Sequence, residues 1–281
     1  MNKLYAKSVY DLESDYRETS RKLADGIGVL DLAKWQPVFE GKMRPILPGE
    51  LTVLAAVTSH GKTAVAQSIS YALREHDQLF FELELPGSLM FERYLAMHHK
   101  VPSLQVEKTY MEGNCMGGHG ALNNIHVCDE SGVTLQQMED LINEAEPEFV
   151  FVDYIGLIGG GSGSRYERIT EIAQGLKVLA KRQDVPILAL SQVARKPPGS
   201  SPEIFLHDCK DSGDIENSAG NLLGLWLDDN DRSIMSIKII KQTKGKVGDT
   251  ITLHFDAETM TISDQEPWDD GKMGWCEGAD R

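Results

Sequence analysis

The sequence contains no apolar run of membrane-spanning length, which argues against a transmembrane helix. Its first residues, Met1-Asn2-Lys3-Leu4-Tyr5-Ala6, lack the apolar core of a secretory signal. No internal repeat is evident either, so solenoid and propeller architectures are not indicated. We therefore expect a globular protein that does not enter a membrane.

Paired cysteines and basic surface charge are also scarce. The four cysteines form no Cys-x-x-Cys motif, which argues against a zinc site or a disulfide framework and favours the reducing cytoplasm; they are Cys115, Cys128, Cys209 and Cys276. The 28 Lys and Arg residues face 43 Asp and Glu residues, for a net charge of −15. Such a surface does not attract nucleic acid as a whole. Any binding of DNA or RNA would need local basic loops, arranged by oligomerisation.

The clearest motif is Ala56-Val57-Thr58-Ser59-His60-Gly61-Lys62-Thr63. An apolar β-type run precedes it at 51–55, and a segment with helical spacing follows at 64–73. Strand, Gly-Lys-Thr loop and helix form the context of a phosphate-binding P-loop, whose backbone N–H groups and helix N-terminus bind phosphates. The predicted nucleotide contacts are Ser59, His60, Gly61, Lys62, Thr63 and Ala64. Ala56 stands where the strict pattern has glycine, and the alternative is an ordinary strand-to-helix turn.

Three further predicted strands end in polar residues that suit phosphate chemistry. Glu84 lies near the end of the strand at 78–85, where open α/β sheets place their active sites. The apolar strand 149–153 ends in Asp153, which resembles the Walker B acid that orients Mg²⁺, while the Thr63 hydroxyl can hold the same ion. Strand 186–190 runs into Ser191-Gln192, and Gln192 can sense a γ-phosphate; the alternative is a polar strand end without such a role.

The remaining chain divides into an arm, a core and a tail. Residues 1–25 predict either a frayed surface helix or an arm that packs on a neighbouring subunit. The core, 26–262, begins with a loop-rich segment. It contains helices at 88–99, 134–145 and 167–183, loops at 159–166 and 193–211, and strands at 222–227, 234–241, 250–255 and 259–262. Residues 263–281 form an acidic tail, either solvated and disordered or able to dock to a positive partner.

Taken in order, these motifs resemble the C-terminal motor domain of DnaB-type replicative helicases. The resemblance covers about residues 26–262 and implies a RecA-like P-loop NTPase core, a mostly parallel twisted sheet flanked by helices, with a C-terminal β-hairpin. The segments that carry it are 49–56 (GELTVLAA), 81–86 (FELELP), 152–157 (VDYIGL), 176–181 (LKVLAK), 185–192 (VPILALSQ) and 212–216 (SGDIE).

The resemblance implies an ATP- and Mg²⁺-dependent DNA helicase in which each ATP lies between the subunits of a hexamer. Glu84 would polarise the attacking water, Asp153 would be the Walker B acid, and Gln192 would link the γ-phosphate to the DNA loops. Loops 158–168 and 193–211 would line a central channel and hold single-stranded DNA, with Arg165, Arg168, Arg195, Lys196 and Lys210 as candidate contacts. Family members move 5′ to 3′ and work with primase, a helicase loader and other replisome proteins.

The sequence departs from the family pattern in three places. The family has Lys-x-Arg to reach the neighbour's ATP, whereas this chain has Lys241-Gln242-Thr243; Lys241 and Lys244 are the candidates for that role in trans. The sequence shows no N-terminal collar domain, so we expect ring formation to rest on the arm and the core faces. A phage-type or mobile-element protein in a bacterial cell would have this form. The channel loops are weakly basic, because acids accompany their Lys and Arg residues.

Three functions compete at this stage. The first is a DnaB-like hexameric helicase. The second is a RecA-like regulatory or recombination-mediator ATPase that binds DNA or a partner without unwinding. The third is an adaptor that uses ATP as a structural ligand. The combined presence of a P-loop lysine, a water-activating acid, a Walker B acid and a sensor glutamine argues against the adaptor, since a binding module has no chemical need for Glu84.

Overall fold

Nine strands form one sheet in the computed structural model, which describes residues 6–197, 199–212 and 215–264. The apolar runs found in the sequence supply these strands. Their bounds are β1 Leu51–Ala56, β2 Gln78–Glu82, β3 Ile125–Cys128, β4 Phe149–Asp153, β5 Ile187–Gln192, β6 Asn221–Leu227, β7 Ile234–Lys241, β8 Thr250–Asp256 and β9 Thr261–Ser263.

The strand order is β3-β2-β4-β5-β1-β6-β7-β8-β9. The first six of these are parallel to one another, and β7, β8 and β9 continue the sheet in antiparallel fashion. Every residue of β1, β2 and β4 is buried, as expected for parallel strands covered on both faces. The predicted fold class, a mostly parallel sheet with a C-terminal hairpin, is confirmed.

Eight α-helices lie in the described part of the chain. They are α1 Val9–Asp25, α2 Leu32–Trp35, α3 Lys62–Ala72, α4 Gly87–His99, α5 Ser103–Met111, α6 Leu135–Ala145, α7 Arg165–Gln183 and α8 Ile215–Ser218. Short 3-10 turns occupy Pro37–Phe39, His119–Leu122, Ile155–Leu157 and Leu206–Ser212. No helix among the described residues is long and apolar enough to span a bilayer.

The sheet separates two hydrophobic cores. On one face, α2 and α3 pack over alternate residues of the central strands, including the stacked rings of Phe80 and Phe151. On the other face, α6 and α7 cover the intervening residues, such as Phe81 and Val152. This alternation sends Glu82 and Asp153, each two residues after a stacked ring, to the face covered by α3.

Helix α1 lies apart from both cores. It has a complete capping box at Ser8 and a left-handed C-cap at Gly26, yet none of its residues is buried. An ion pair from Lys22 to Asp184, at 3.1 Å, joins it to the end of α7. Its exposed apolar side chains are Val9, Tyr10, Leu12 and Tyr16.

Several predicted boundaries are corrected by local hydrogen bonding. Helix α7 begins at Arg165 rather than 167, because the Ser164 side chain caps it in a reciprocal pair with Glu167. Strand β2 ends at Glu82 rather than 85, and β9 starts at Thr261 rather than 259. The acidic tail from residue 265 onward and the Gly213-Asp214 pair of the 212–216 motif lie outside the described residues.

Candidate nucleotide site

The sheet topology brings the polar strand ends of the sequence together. Strands β2, β4, β5 and β1 are consecutive neighbours, so their carboxyl ends share one edge. Gln192 at the end of β5 is in register with Ala56 at the end of β1, and Asp153 is in register with Glu82 on β2. Open α/β sheets bind ligands at this edge.

The P-loop turns from β1 into α3 through residues with positive φ. Gly61, at φ +83°, caps the N-terminus of α3, and Ser59 has φ +65°. The positive φ of Gly61 favours glycine, and a Cβ there would lie 2.9 Å from the terminal Cε atom of Met235, which would have to move aside. Ala56 is an extended, buried strand residue, which explains why the position accepts a side chain here. The loop and the helix N-terminus therefore form an anion-binding cradle.

Two contacts from the β6–β7 turn brace the P-loop, and sequence reasoning missed them. Arg232 donates to the Ser59 carbonyl oxygen at 2.6 Å. The Leu227 N–H donates to the Nδ1 atom of His60 at 3.0 Å. Burial, followed by the positive charge of Arg232, lowers the pKa of His60 and favours the neutral ring that can accept this bond. No sequence motif marks Arg232, because the contact joins residues more than 170 positions apart.

The Thr63 hydroxyl donates to Asp153 Oδ2 at 2.5 Å. Burial raises the pKa of Asp153 to about 6, with the negative charge of Glu84 adding to the effect; the Thr63 bond and the positive charge of Lys62 oppose it. The other carboxylate oxygen, Oδ1, is buried without a hydrogen-bond partner among the described residues. A half-buried hydroxyl beside a buried carboxylate with one unused oxygen suits a hard cation such as Mg²⁺, which takes few protein ligands beside phosphate and water.

Lys62 and Glu84 both lie close enough to Asp153 to interact with it electrostatically. Lys62 is buried, and this burial lowers the pKa of its ammonium group, while the negative charges of Asp153 and Glu84 oppose that shift. Glu84 is exposed on the turn after β2. Gln192 is half-buried beside the start of the P-loop, where the N–H of Val193 donates to the Ala56 carbonyl at 3.0 Å. The structure thus brings together the predicted Lys62, Thr63, Glu84, Asp153 and Gln192.

Glu82 is a site residue that the sequence interpretation passed over. It is fully buried at the end of β2. Burial raises the pKa of its carboxyl to about 7, and the negative charge of Asp153 adds to this. A sequence signal was present, since Glu82 is a charged residue between the apolar Phe81 and Leu83.

A cavity of about 380 Å³ adjoins the P-loop. It is lined by residues 57–60 of the P-loop and by residues 195–197 and 199–202 of the loop after β5. Asp229 and Arg232 from the β6–β7 turn complete it. The volume lies within the range of small-ligand sites. Arg195, predicted to contact DNA, therefore also borders the predicted nucleotide site.

The two candidate lysines for catalysis in trans differ in their surroundings. Lys241 donates to the carbonyl oxygens of Glu216 and Ala219, at 2.7 and 2.9 Å, and so satisfies the end of α8 within its own subunit. Thr243 donates its backbone N–H to Asn221 Oδ1 at 3.0 Å. Lys244 is exposed. Lys241 is consequently engaged within its own subunit, whereas Lys244 remains accessible to a neighbour.

Much of the basic charge in and around the loop at 193–212 is paired with acidic side chains of the same protein. Lys196 forms an ion pair with Asp208 at 2.8 Å and also donates to the Glu203 carbonyl oxygen. The Glu203 carboxylate pairs with Lys238 of β7. Both ammonium groups lie 4.8 Å from the centroid of the Phe205 ring. This group of five residues, the Phe205 clasp, fastens the loop to the sheet.

The other predicted DNA contacts are more accessible. Arg165 and Arg195 are exposed, and Arg168 is half-buried with a 3.4 Å bond to the Gly156 carbonyl. Glu167 accepts from the Ser164 N–H at 2.7 Å, which engages it in the helix cap beside these arginines. The side chain of Lys210 lies outside the described part of the chain, as does that of Asp211.

Comparisons with known proteins show which family this chain resembles. The family model described as the DnaB-like helicase C terminal domain matches residues 39–264. The replicative DNA helicase DnaB of Treponema pallidum (strain Nichols) is 30% identical over 264 residues, covering 89% of this chain and 58% of that protein. The DnaB of Geobacillus stearothermophilus is 29% identical over 233 residues, covering 74% and 51%. The chain thus spans little more than half the length of these relatives.

Two solved structures share the fold. One is an isolated ATPase domain, which superposes with a TM-score of 0.77 at 21% identity, covering 91% of this chain and 99% of that one. The other is a DnaB-like replicative helicase, solved in a study of its interactions with primase, which superposes with a TM-score of 0.75 at 22% identity, covering 92% and 67%. At these identities the likeness establishes the RecA-like architecture.

Proposed function

Because this chain belongs to the DnaB-like helicase C-terminal domain family, we propose that it is the ATP-hydrolysing motor of a DNA helicase that translocates on single-stranded DNA during replication. The observation that carries the proposal is the contact of Thr63 with Asp153 next to Lys62 and Glu84. A protein that only binds ATP as a structural ligand would need the phosphate-binding loop and helix N-terminus, but no acid to activate water. Here, an acid lies beside the cradle, where a water molecule would attack the γ-phosphate.

ATP would bind with its phosphates in the cradle formed by residues 59–64. The N–H groups at the start of α3 and the Lys62 ammonium would neutralise the phosphate oxygens. Thr63 and Asp153 would hold Mg²⁺, which supplies charge neutralisation of the β- and γ-phosphates. The cavity bounded by Asp229 and Arg232 has room for the rest of the nucleotide.

Glu84 would orient the attacking water and accept its proton. Its exposed position leaves the carboxylate accessible to water, while its turn is fixed by β2 and β4 behind it. Gln192 would contact the γ-phosphate and transmit its loss to the loop that begins at Val193. That loop follows directly from β5, so a shift at the strand end reaches the DNA contacts without an intermediate element.

We assign the contacts with single-stranded DNA to segment 158–168, whose residues from Arg165 onward begin α7, and to the loop at 193–211. Arg165 and Arg195 support the assignment because both are exposed, and Arg168 would add a third charge. Lys196 could join them after leaving the Phe205 clasp, and Lys210 remains a sequence-based candidate. Such contacts would hold the phosphate backbone irrespective of sequence.

The working form would be a homo-oligomer, a hexamer by family likeness, with each ATP between two subunits. Lys244 is a better candidate than Lys241 for reaching the neighbour's ATP, because it is exposed whereas Lys241 satisfies α8 carbonyls. Residues 1–25 would form an arm and 26–262 the motor, and the exposed apolar side chains of α1 support packing of the arm on another subunit. The acidic tail would follow from 263.

Movement from 5′ to 3′ and a cytoplasmic location in a bacterial cell are further parts of the proposal that follow from family likeness. So is an association with primase or a helicase loader, since one structural neighbour was solved in a study of its interactions with primase.

The decisive experiment measures steady-state ATP hydrolysis with and without single-stranded DNA, with the particle mass determined by light scattering in the same samples. We expect DNA-stimulated turnover in a particle of about six subunits, and unwinding of a forked duplex. Nucleotide binding without turnover, in a monomer that ignores DNA, would refute the motor. Stimulated turnover without unwinding would instead identify a regulatory or recombination-mediator ATPase.

A further inference from the structure

A buried glutamate lies directly behind the candidate catalytic turn. Glu82 is the last residue of β2, is fully buried, and is in register with Asp153 on β4. A buried carboxylate costs several kcal/mol unless its oxygens are hydrogen-bonded. Beside it on the same face of the sheet lie another acid, Asp153, whose negative charge makes a second carboxylate less favourable, and the apolar, stacked rings of Phe80 and Phe151. The position would therefore suit an apolar residue if packing alone mattered.

The hydrogen bonds of Glu82 go to the turn that carries Glu84. Its Oε1 atom accepts the backbone N–H of Glu84 at 3.2 Å and that of Leu85 at 2.9 Å. The N–H of the intervening Leu83 donates to the Asp153 carbonyl at 2.8 Å. Three successive N–H groups of the turn are thus fixed, two by Glu82 and one by the strand that ends in the candidate metal ligand.

This arrangement determines where Glu84 can be. Strand β2 ends at Glu82, so the backbone beyond it has no ladder partner on β3 to hold it in place. An exposed side chain on an unrestrained turn would sample many positions, and small displacements of a catalytic group reduce rates strongly. The Glu82 carboxylate replaces the missing ladder with a bond to the Glu84 backbone itself.

We propose that Glu82 is a positioning residue for ATP hydrolysis, which holds the Glu84 turn over the P-loop by accepting the N–H groups of Glu84 and Leu85. The inference rests on the proposed function, since it concerns the group that activates water. Glu82 does not itself touch the nucleotide. Its contribution should therefore appear in the rate of hydrolysis and not in the affinity for ATP.

The test compares two variants of similar size. Glu82→Met removes both acceptor oxygens and the buried charge, whereas Glu82→Gln keeps an oxygen where Oε1 now accepts. Replacing a buried charge by an apolar side chain is often neutral or stabilising, so Glu82→Met is expected to fold. We expect its kcat to fall by about 10- to 100-fold with little change in KM for ATP, and Glu82→Gln to keep most of the wild-type kcat.

Gln78→Ala serves as the matched control. Gln78 is also fully buried on β2, but at the opposite end, where its Nε2 atom donates to the carbonyls of Ser70 and Leu73. We expect this variant to lower the unfolding temperature and to leave kcat near the wild-type value. Loss of stability and loss of rate would then be separated within one strand.

A kcat of Glu82→Met within about twofold of wild type would overturn the inference, as would a Glu82→Gln variant as slow as Glu82→Met. Wild type and Glu84→Gln are measured alongside. If wild type does not hydrolyse ATP, the proposed function itself fails. If Glu84→Gln blocks hydrolysis and Glu82→Met does not, the helicase motor stands and the role of Glu82 alone is refuted.

Discussion

The nucleotide end of the sheet and the loop at 193–212 both carry charged side chains, but they use them in opposite ways. At the nucleotide end, Lys62 and Asp153 are buried, and Oδ1 of Asp153 lacks a hydrogen-bond partner among the described residues. In the loop, Lys196 is paired with Asp208, and the Glu203 carboxylate with Lys238. The first region is prepared for a ligand, whereas part of the second must release internal contacts before it can bind one.

This difference follows from how each region is supported. The charged side chains at the nucleotide end are held in place by the ends of four paired strands, β1, β2, β4 and β5. The stability of the whole sheet therefore offsets the unfavourable desolvation of these charges. The loop leaves the sheet after Gln192 and returns only at β6. Ion pairs and ring contacts within the loop replace the missing ladder bonds, and such partly exposed pairs contribute little stability each.

The largest effect is expected at Lys62. Lys62→Ala removes the buried ammonium group that we propose neutralises the phosphates, and we expect ATP turnover to fall at least about 100-fold. Steady-state hydrolysis measures this. Lys177→Ala, at an exposed position of α7, is the matched control and should keep wild-type turnover. Substantial activity in Lys62→Ala would contradict the P-loop assignment.

Glu84→Gln should separate binding from chemistry. The amide cannot accept the proton of water, so hydrolysis should fall about 100-fold or more while the affinity for ATP is retained. Binding of a fluorescent ATP analogue and single-turnover hydrolysis test both halves. The exposed Glu75, on the turn before β2, provides the control Glu75→Gln. Rapid hydrolysis by Glu84→Gln would remove the residue from the mechanism.

DNA binding should distinguish the free arginines from the clasped lysine. Arg165→Ala and Arg195→Ala should each weaken binding of single-stranded DNA and reduce the slope of log K against log salt by about 0.7. Lys196→Ala should change this slope less, because Asp208 already neutralises Lys196. Fluorescence anisotropy across a salt series supplies the slopes. Equal slopes for all three variants would show that the clasp opens freely in solution.

Lys241 and Lys244 should affect different properties. Lys241→Ala leaves the carbonyls of Glu216 and Ala219 without their donor and should cost about 1–2 kcal/mol in the free energy of unfolding. Lys244→Ala should leave that free energy unchanged and slow hydrolysis in the assembled particle. Chemical denaturation and turnover assays separate the two. A stable but inactive Lys241→Ala would return the role in trans to Lys241.

The smallest effect concerns pH. The folded state lowers the pKa of His60 below its ordinary 6.5, so His60 contributes stability that is present above pH 6.5 and lost as pH falls through the folded pKa. Protonation would also break the bond from the Leu227 N–H. His60→Asn, whose Oδ1 can accept the same bond, should flatten the fall in unfolding free energy on acidification. An unchanged pH profile in His60→Asn would exclude this contribution.

Local sequence patterns predicted the buried strands and the polar residues at their ends better than they predicted helix boundaries and long-range contacts. Apolar runs ending in Asp153 or Gln192 predicted buried strands because a parallel sheet covered on both faces needs continuous apolar sequence. The start of α7 was misplaced by two residues, since Ser164 and Glu167 cap it reciprocally. Glu82 was missed because an acid within an apolar strand has no local pattern that reveals its partners.

The sequence by itself determined the P-loop and the polar strand ends, because each depends on residues close together in the chain, and their order carried the family resemblance that implied the fold. Only the tertiary structure decided which charges are engaged. Lys241 meets the end of α8, Lys196 meets Asp208, and Arg232 meets Ser59 after the chain has folded back. Long side chains form these contacts between segments that are brought together only by folding. The spacing of such residues along the chain therefore does not predict the distance between them in space.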